Sequence, residues 1–181
     1  LYHILPLDKY IDLIHQELMS SIEKNIESFY GEKLRLKACG ILVVKDKILL
    51  INHSGLNESN CFWAPPGGGM EFGESAEDCL KREFIEETGL IINVNKFLFV
   101  HEYLNAPLHA IELFFEVSSP TTNIITGSDP EFSAEHQIIK ETAFLEFDLL
   151  KNEPKENLHR VLHENLEDFK IFKQKGYFKS H

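Results

Sequence analysis

From Ile11 the apolar positions recur every three to four residues. Ile11, Ile14, Leu18, Ile22, Ile26 and Phe29 make one stripe, the period of an amphipathic helix. Asp8 stands where a cap is expected and Gly31 where a stop is expected. Residues 1–34 therefore read as a helical N-terminal extension, packed on the main domain or on a second copy of the chain. Past Leu36 the pattern changes. Ala38 to Val44 and Ile48 to His53 are short β-rich runs around the turn Lys45-Asp46-Lys47, which predicts a hairpin. A polar loop, Ser54 to Asn60, leads into a short strand, Cys61 to Ala64. Pro65-Pro66-Gly67-Gly68-Gly69 is expected to end that strand.

Ser75 to Thr88 predicts a helix. Ser75 and Asp78 form a capping pattern, Ala76, Cys79, Leu80 and Phe84 an apolar face, and Gly89 a stop. Ile91 to Tyr103 and His109 to Val117 are two further β-rich runs. Ser118 to Ser133 is rich in Pro, Thr, Gly and Ser and reads as a mobile loop. Ile138 to Phe147 predicts another strand, and Leu158, Val161, Leu162, Leu166, Phe169 and Phe172 a closing helix. This order predicts an α/β domain over residues 35–181, a mixed sheet flanked by helices.

Charge narrows the picture. The 181-residue chain carries a formal net charge of −11, opposite in sign to what duplex nucleic acid attracts. The acid is concentrated. Between Glu71 and Glu87 stand Glu71, Glu74, Glu77, Asp78, Glu83, Glu86 and Glu87 against Lys81 and Arg82. Such a cluster either faces water or holds cations. No apolar run reaches the ~18–20 residues of a membrane span. Three cysteines, Cys39, Cys61 and Cys79, with no close pair, fit neither a disulfide framework nor a zinc cluster. With no signal-like segment near Leu1, they set the expectation of a cytoplasmic protein.

The acids fall in a particular geometry. On a helix Glu83, Glu86 and Glu87 are at i, i+3 and i+4 and share one face. Like charges that close repel one another, and a hard divalent cation removes the conflict. The glycine turn before the helix leaves its backbone open to a metal or a phosphate. Arg82 offers a planar donor fork beside Glu83, and Glu74 lies at the helix entry, where negative charge is favoured. An acidic helix made only for solvation would need neither the fixed glycines nor the arginine.

Gly68, Glu74, Arg82, Glu83, Glu86, Glu87 and Gly89 stand in the pattern G-x5-E-x7-R-E-U-x-E-E-x-G-U, with U a bulky apolar residue. This resembles the Nudix box of the Nudix hydrolase family. All seven fixed positions match, which by chance at one start point has a probability on the order of 10⁻⁹. Phe84 is a mild departure, since an aliphatic residue is more usual there. The approach Trp63-Ala64-Pro65-Pro66-Gly67 also looks like the family's. The resemblance implies a Nudix-type α/β/α sandwich and hydrolysis of a pyrophosphate bond in a nucleoside diphosphate derivative, with Mg²⁺ or Mn²⁺. Carried over by position, Glu83, Glu86 and Glu87 would be metal ligands and carry catalysis, with the Gly67 carbonyl as a further ligand. Arg82 would hold Glu83, Glu74 would support the loop–helix junction, and Gly89 would close the helix. A carboxylate from outside the box often completes such a site; Glu141 and Glu135 are the candidates.

Gly68, Gly69, Phe62 and Tyr103 are the candidate substrate contacts, although Phe62, Tyr103 and His101 equally suit sheet packing. Trp63 suits the core, as does Cys79. His159 and His163 are i,i+4 and suit packing or the surface. Pro107, seventeen residues past Leu90, tilts the resemblance toward ADP-ribose or a nucleotide sugar; a nucleoside triphosphate would share the chemistry. The expected partner is a small-molecule nucleotide, with a homodimer through residues 8–30 as a further hypothesis. The alternative from another class is a sensor that binds a nucleotide sugar without cleaving it and regulates a partner.

Overall fold

The computed structural model describes residues 9, 30–130, 137–163 and 176–180. The N-terminal helical extension, and the closing helix past His163, lie outside the described residues. Among those described, no helix is long and apolar enough to cross a membrane.

Strands β1 (Leu34–Ile41), β2 (Val43–Val44), β3 (Lys47–His53), β4 (Phe62–Ala64) and β5 (Gly67–Gly69) precede helix α1 (Ala76–Thr88). β6 (Asn93–Asn105), β7 (Leu108–Ser118) and β8 (Ile139–Glu146) follow, then short helices α2 (Phe147–Leu150) and α3 (Arg160–His163), and β9 (Tyr177–Ser180). One sheet runs in the order β5-β1-β7-β6-β9. It is mixed, with β1 parallel to β7 and antiparallel to β5. In the second sheet β3 pairs with β2, β4 and β8, all antiparallel.

The apolar run Ala38–Val44 is thus two strands. The chain leaves one sheet after Ile41 and enters the other at Val43, so a single hydrophobic stretch feeds both layers. The glycine segment also differs from expectation. It does not merely end β4 but forms its own strand, pairing Gly67, Gly68 and Gly69 with Cys39, Ala38 and Lys37.

Two apolar clusters hold the layers together. One lies under α1, where Cys79, Leu80 and Phe84 pack against Ala38, Leu42, Leu49 and Leu90. The other joins both sheets to α2 and α3 through Ile41, Leu50, Trp63, Phe99, Phe114, Leu150 and Leu162. The sheets are sandwiched between helices, the α/β class that the order of elements predicts, and Trp63 lies in the core.

Phe84 has a physical explanation. Its ring lies over Gly40, where an added Cβ would stand 2.4 Å from Phe84 Cε2. The missing side chain on β1 makes the room that an aromatic at this box position needs. Gly40→Ala is expected to destabilise by about 1–3 kcal/mol through overpacking. A Phe84→Leu background should relieve most of that, read as a coupling energy in a urea double-mutant cycle. An equal cost in both backgrounds would show that Gly40 does not accommodate this ring.

Candidate active site

Ser75 caps α1 by accepting a hydrogen bond from the Asp78 N–H, and Gly89 ends it in the left-handed region at φ 70°. Between these stops, one face of α1 packs in the core and the adjacent face meets the glycine strand. Glu83 and Glu87 lie on that boundary, 9% and 5% exposed. Glu86 is more open.

The carboxylates are held by nitrogen donors. Arg82 Nη1 donates to Glu83 at 2.8 Å and to Glu86 at 3.1 Å. Its Nη2 donates to Glu74 at 2.9 Å and to the Gly69 carbonyl at 3.1 Å. One guanidinium therefore ties three box glutamates and the glycine strand together. Glu87 accepts the Gly67 N–H at 2.8 Å. Gly67 has φ +142°, and a Cβ there would stand 2.2 Å from the Ala38 carbonyl oxygen; no side chain fits this turn. At Gly68 a Cβ would meet the Glu83 carboxyl at 2.3–2.6 Å, so strand and acids are in direct contact.

The electrostatics show acids crowded out of water. Burial raises the Glu83 pKa, with Arg82 opposing. Burial, and then the charge of Glu83, raises Glu87 well above the ordinary carboxylate value, while the Gly67 N–H and Lys37 pull it down. Arg82 lowers Glu74 through their hydrogen bond. Burial pushes the Cys79 thiol up to about 12, which suits the inert packing residue its position suggests. All three cysteines are free.

Among the described residues, Asp129 is an acid outside the box whose charge reaches this cluster: it raises both Glu83 and Glu87. It lies in the Ser118–Ser133 stretch read as a mobile loop. Residues 119–130 indeed carry no regular secondary structure. They are nonetheless tied to the C-terminal end of α1, because Ile125, Gly127 and Ser128 N–H groups donate to the carbonyls of Thr88, Glu87 and Glu86. Those are carbonyls a helix end leaves unpaired. The Asp129 backbone exchanges hydrogen bonds with the Gln137 side chain.

Glu141, the carboxylate expected from outside the box, is not brought to the cluster. Its neighbour Thr142 faces α1 and donates to the Glu87 carbonyl at 3.2 Å. Alternation along β8 then turns the exposed Glu141 to the opposite side. Glu135 lies outside the described residues. Phe62 is half-buried on β4, edge-on to His159 with ring centroids 6.1 Å apart. Tyr103 is half-buried on β6 and accepts a hydrogen bond from Asn105.

A polar group that the sequence did not foretell lies beside the acids. Glu112 Oε2 is 2.7 Å from His101 Nδ1 and 3.1 Å from His159 Nε2, and its Oε1 accepts from Lys37 at 3.3 Å. Burial opposes ionisation of Glu112. His159, Lys37 and the His101 hydrogen bond nevertheless hold its pKa well below the ordinary value. Two histidines and a carboxylate bring their ligand atoms within 4.8 Å of one another, a donor set of the kind metal ions use. Their hydrogen bonds favour a network complete in itself. The Val161 N–H donates to His159 Nδ1 at 3.4 Å, and the other ring nitrogen, Nε2, faces Glu112.

The comparisons agree with this architecture. The family model for the NUDIX domain matches residues 34–166, and the chain belongs to the Nudix family. An ADP-ribose pyrophosphatase of Methanocaldococcus jannaschii is 45% identical over 62 residues, 34% of this chain and 36% of that protein. The chain spans about a third of the length of the curated relatives it matches. Among solved structures, the MutT protein of Methanosarcina mazei has a TM-score of 0.61 at 16% identity, covering 80% of this chain and 98% of that one. An ADP-ribose pyrophosphatase of Streptococcus suis has a TM-score of 0.54 at 15% identity, also covering 80% and 98%. At these identities the structural likeness shows the fold.

Proposed function

We propose that the chain is a metal-dependent pyrophosphohydrolase acting on a nucleoside diphosphate derivative of the ADP-ribose or nucleotide-sugar kind. The observation that carries this reading is the donor-tied set of the buried Glu83 and Glu87 and the more open Glu86 against the glycine strand of a Nudix fold. Membership of the family and the M. jannaschii relative's name support the same activity.

The donor set fits Mg²⁺ or Mn²⁺: hard carboxylate oxygens, one N–H-anchored carboxylate, and a backbone strand with no side chains in the way. Glu83, Glu86 and Glu87, with the Gly67 carbonyl, would hold the ion, and Asp129 is the candidate for the carboxylate from outside the box. A bound divalent ion would neutralise charge on phosphoryl oxygens and lower the pKa of a water. The chain's own part is to keep these carboxylates converged. Arg82 holds Glu83 and Glu86, the Gly67 N–H holds Glu87, and Glu74 anchors Arg82 at the loop–helix junction. One of the glutamates takes the proton from the attacking water. Gly68 and Gly69 let the diphosphate approach the backbone, and Phe62 and Tyr103 are the candidate contacts for the remainder of the substrate. We place the protein in a reducing, cytoplasmic compartment on its free cysteines.

The substrate class is tested by a Mg²⁺-supplemented panel of ADP-ribose, nucleotide sugars and nucleoside triphosphates, with products resolved by chromatography. Cleavage of ADP-ribose to AMP and ribose 5-phosphate, well above triphosphate turnover, is the expected result. Preferred turnover of triphosphates would reassign the pocket. Tight binding of a nucleotide sugar with no product would favour the non-hydrolytic sensor.

A further inference from the structure

The inner face of the β5-β1-β7-β6 sheet changes character along its length. Cys39, Phe114 and Phe99 form one cross-strand row, Lys37, Glu112 and His101 the next, and Arg35, Ala110 and Tyr103 the one after. The first row is core. The next two leave the core and bring two cations, Arg35 and Lys37, to one side of β1, on the strand that pairs with the glycine strand at Lys37–Gly69. At i,i+2 they are about 6.6 Å apart along the strand. Their like charges act on each other: Arg35 opposes the raised pKa of Lys37.

Neither cation is saturated. The Arg35 guanidinium carbon lies over the Tyr30 ring, 3.6 Å from its centroid. A Cβ on Gly69 would be 3.6 Å from Arg35 Nη2, so the guanidinium lies alongside the glycine strand. A cation–π contact uses none of the five guanidinium N–H donors as a hydrogen bond to an acceptor atom, which leaves them for one. Among the described residues Arg35 has no carboxylate partner, in a chain with 29 acids and 18 bases. Lys37 has Glu112 as its ion-pair partner, at 3.3 Å, and an ammonium has three donors. Glu112 is itself fixed by His101 and His159. The lysine is thus held by its carboxylate with donors to spare, close enough to the acid cluster for its charge to lower the Glu87 pKa.

We propose that Arg35 and Lys37 form a strip that contacts the phosphate oxygens of the substrate on the side of the diphosphate away from Glu83, Glu86 and Glu87. The diphosphate then lies along β1, between a carboxylate wall and a cationic wall. Tyr30 orients the arginine fork and the Glu112–histidine network orients the lysine. This assignment rests on the hydrolase reading.

The probe is inorganic pyrophosphate, titrated calorimetrically into the full chain in saturating Mg²⁺. Arg35→Gln and Lys37→Met are each expected to weaken binding tenfold or more. Arg35→Lys, which keeps charge but loses the fork, should weaken it less. Arg35 is half-exposed and its variant removes only the contact with the Tyr30 ring, so its melting temperature should stay close to the wild-type value. It carries the test alone if Lys37→Met does not fold. Affinities unchanged in Arg35→Gln, or no pyrophosphate binding by the wild type, would overturn the strip. Nucleotide turnover measured in parallel separates the two readings. Unchanged affinities with metal-dependent turnover remove the strip and leave the hydrolase. Strip-dependent binding without any turnover removes the hydrolase.

Discussion

Glutamine in place of Glu87 is expected to lower turnover by about 10²–10⁴-fold, the scale on which a group acting on the transferring proton or its metal is felt. The fold should survive. Glu87 is 5% exposed and accepts the Gly67 N–H at 2.8 Å; a glutamine has nearly the same volume and keeps an acceptor oxygen for that donor. The substitution also removes a carboxylate that burial and Glu83 disfavour in its charged form. Metal-free Glu87→Gln should therefore melt at or above the wild-type temperature while losing activity, a separation of stability from function familiar at strained sites. Wild-type turnover in this variant would remove Glu87 from the metal-binding set.

The second large effect is the response of stability to Mg²⁺, and its sign with pH follows from the same burial. Glu83 and Glu87 have pKa values raised in the folded chain. Between the ordinary carboxylate value and the raised one, the folded state binds more protons than the unfolded state, so these groups make metal-free stability fall as pH rises. A cation that requires both carboxylates ionised works against their protons at low pH and not at high pH. The Mg²⁺-induced increase in melting temperature should therefore grow as pH rises through the raised pKa values. At a hundredfold excess over Kd the stabilisation approaches about 2.7 kcal/mol, roughly 5–10 °C for a chain of this size. His53 and Glu112 run the other way. Desolvation lowers the pKa of the half-buried His53 to about 4, and Glu112 is held well below the ordinary value. Both therefore lose stability as pH falls, with and without metal. The difference between the Mg²⁺ and chelator curves cancels them. A difference that shrinks as pH rises would contradict the assignment of the buried glutamates as the cation's ligands.

What could be read in advance was whatever is encoded locally. The Ser75 cap, the Gly89 stop and the i, i+3, i+4 glutamates each sit within one helix, where residue spacing fixes geometry. The hairpin around Lys45-Asp46-Lys47 is equally local. What escaped depends on partners distant in the chain. Three glycines have poor intrinsic strand preference, and β5 exists because β1 pairs with it. Pro-, Thr- and Ser-rich composition marks residues 119–130 as irregular but is silent on the carbonyls of α1 to which they bind. The face of Glu141 follows from the register of β8, and one residue of shift would reverse it. His101 and Glu112 meet across a hairpin, and His159 arrives from the far end of the described domain. A histidine and a glutamate at matched, inward positions of β6 and β7 was the available signal, legible only once the strands were paired.

On the proposed reading Glu83, Glu86 and Glu87 would hold a divalent ion that supports hydrolysis of a diphosphate. The most direct measurement is ADP-ribose hydrolysis by the full chain in Mg²⁺, in excess chelator, and in chelator with Mg²⁺ restored, in water enriched in ¹⁸O. Turnover is expected to vanish with chelator and return with the ion, with the label on one of the two phosphate products. Hydrolysis that persists at full rate in chelator, or label appearing on a carbon-bound hydroxyl, would contradict it.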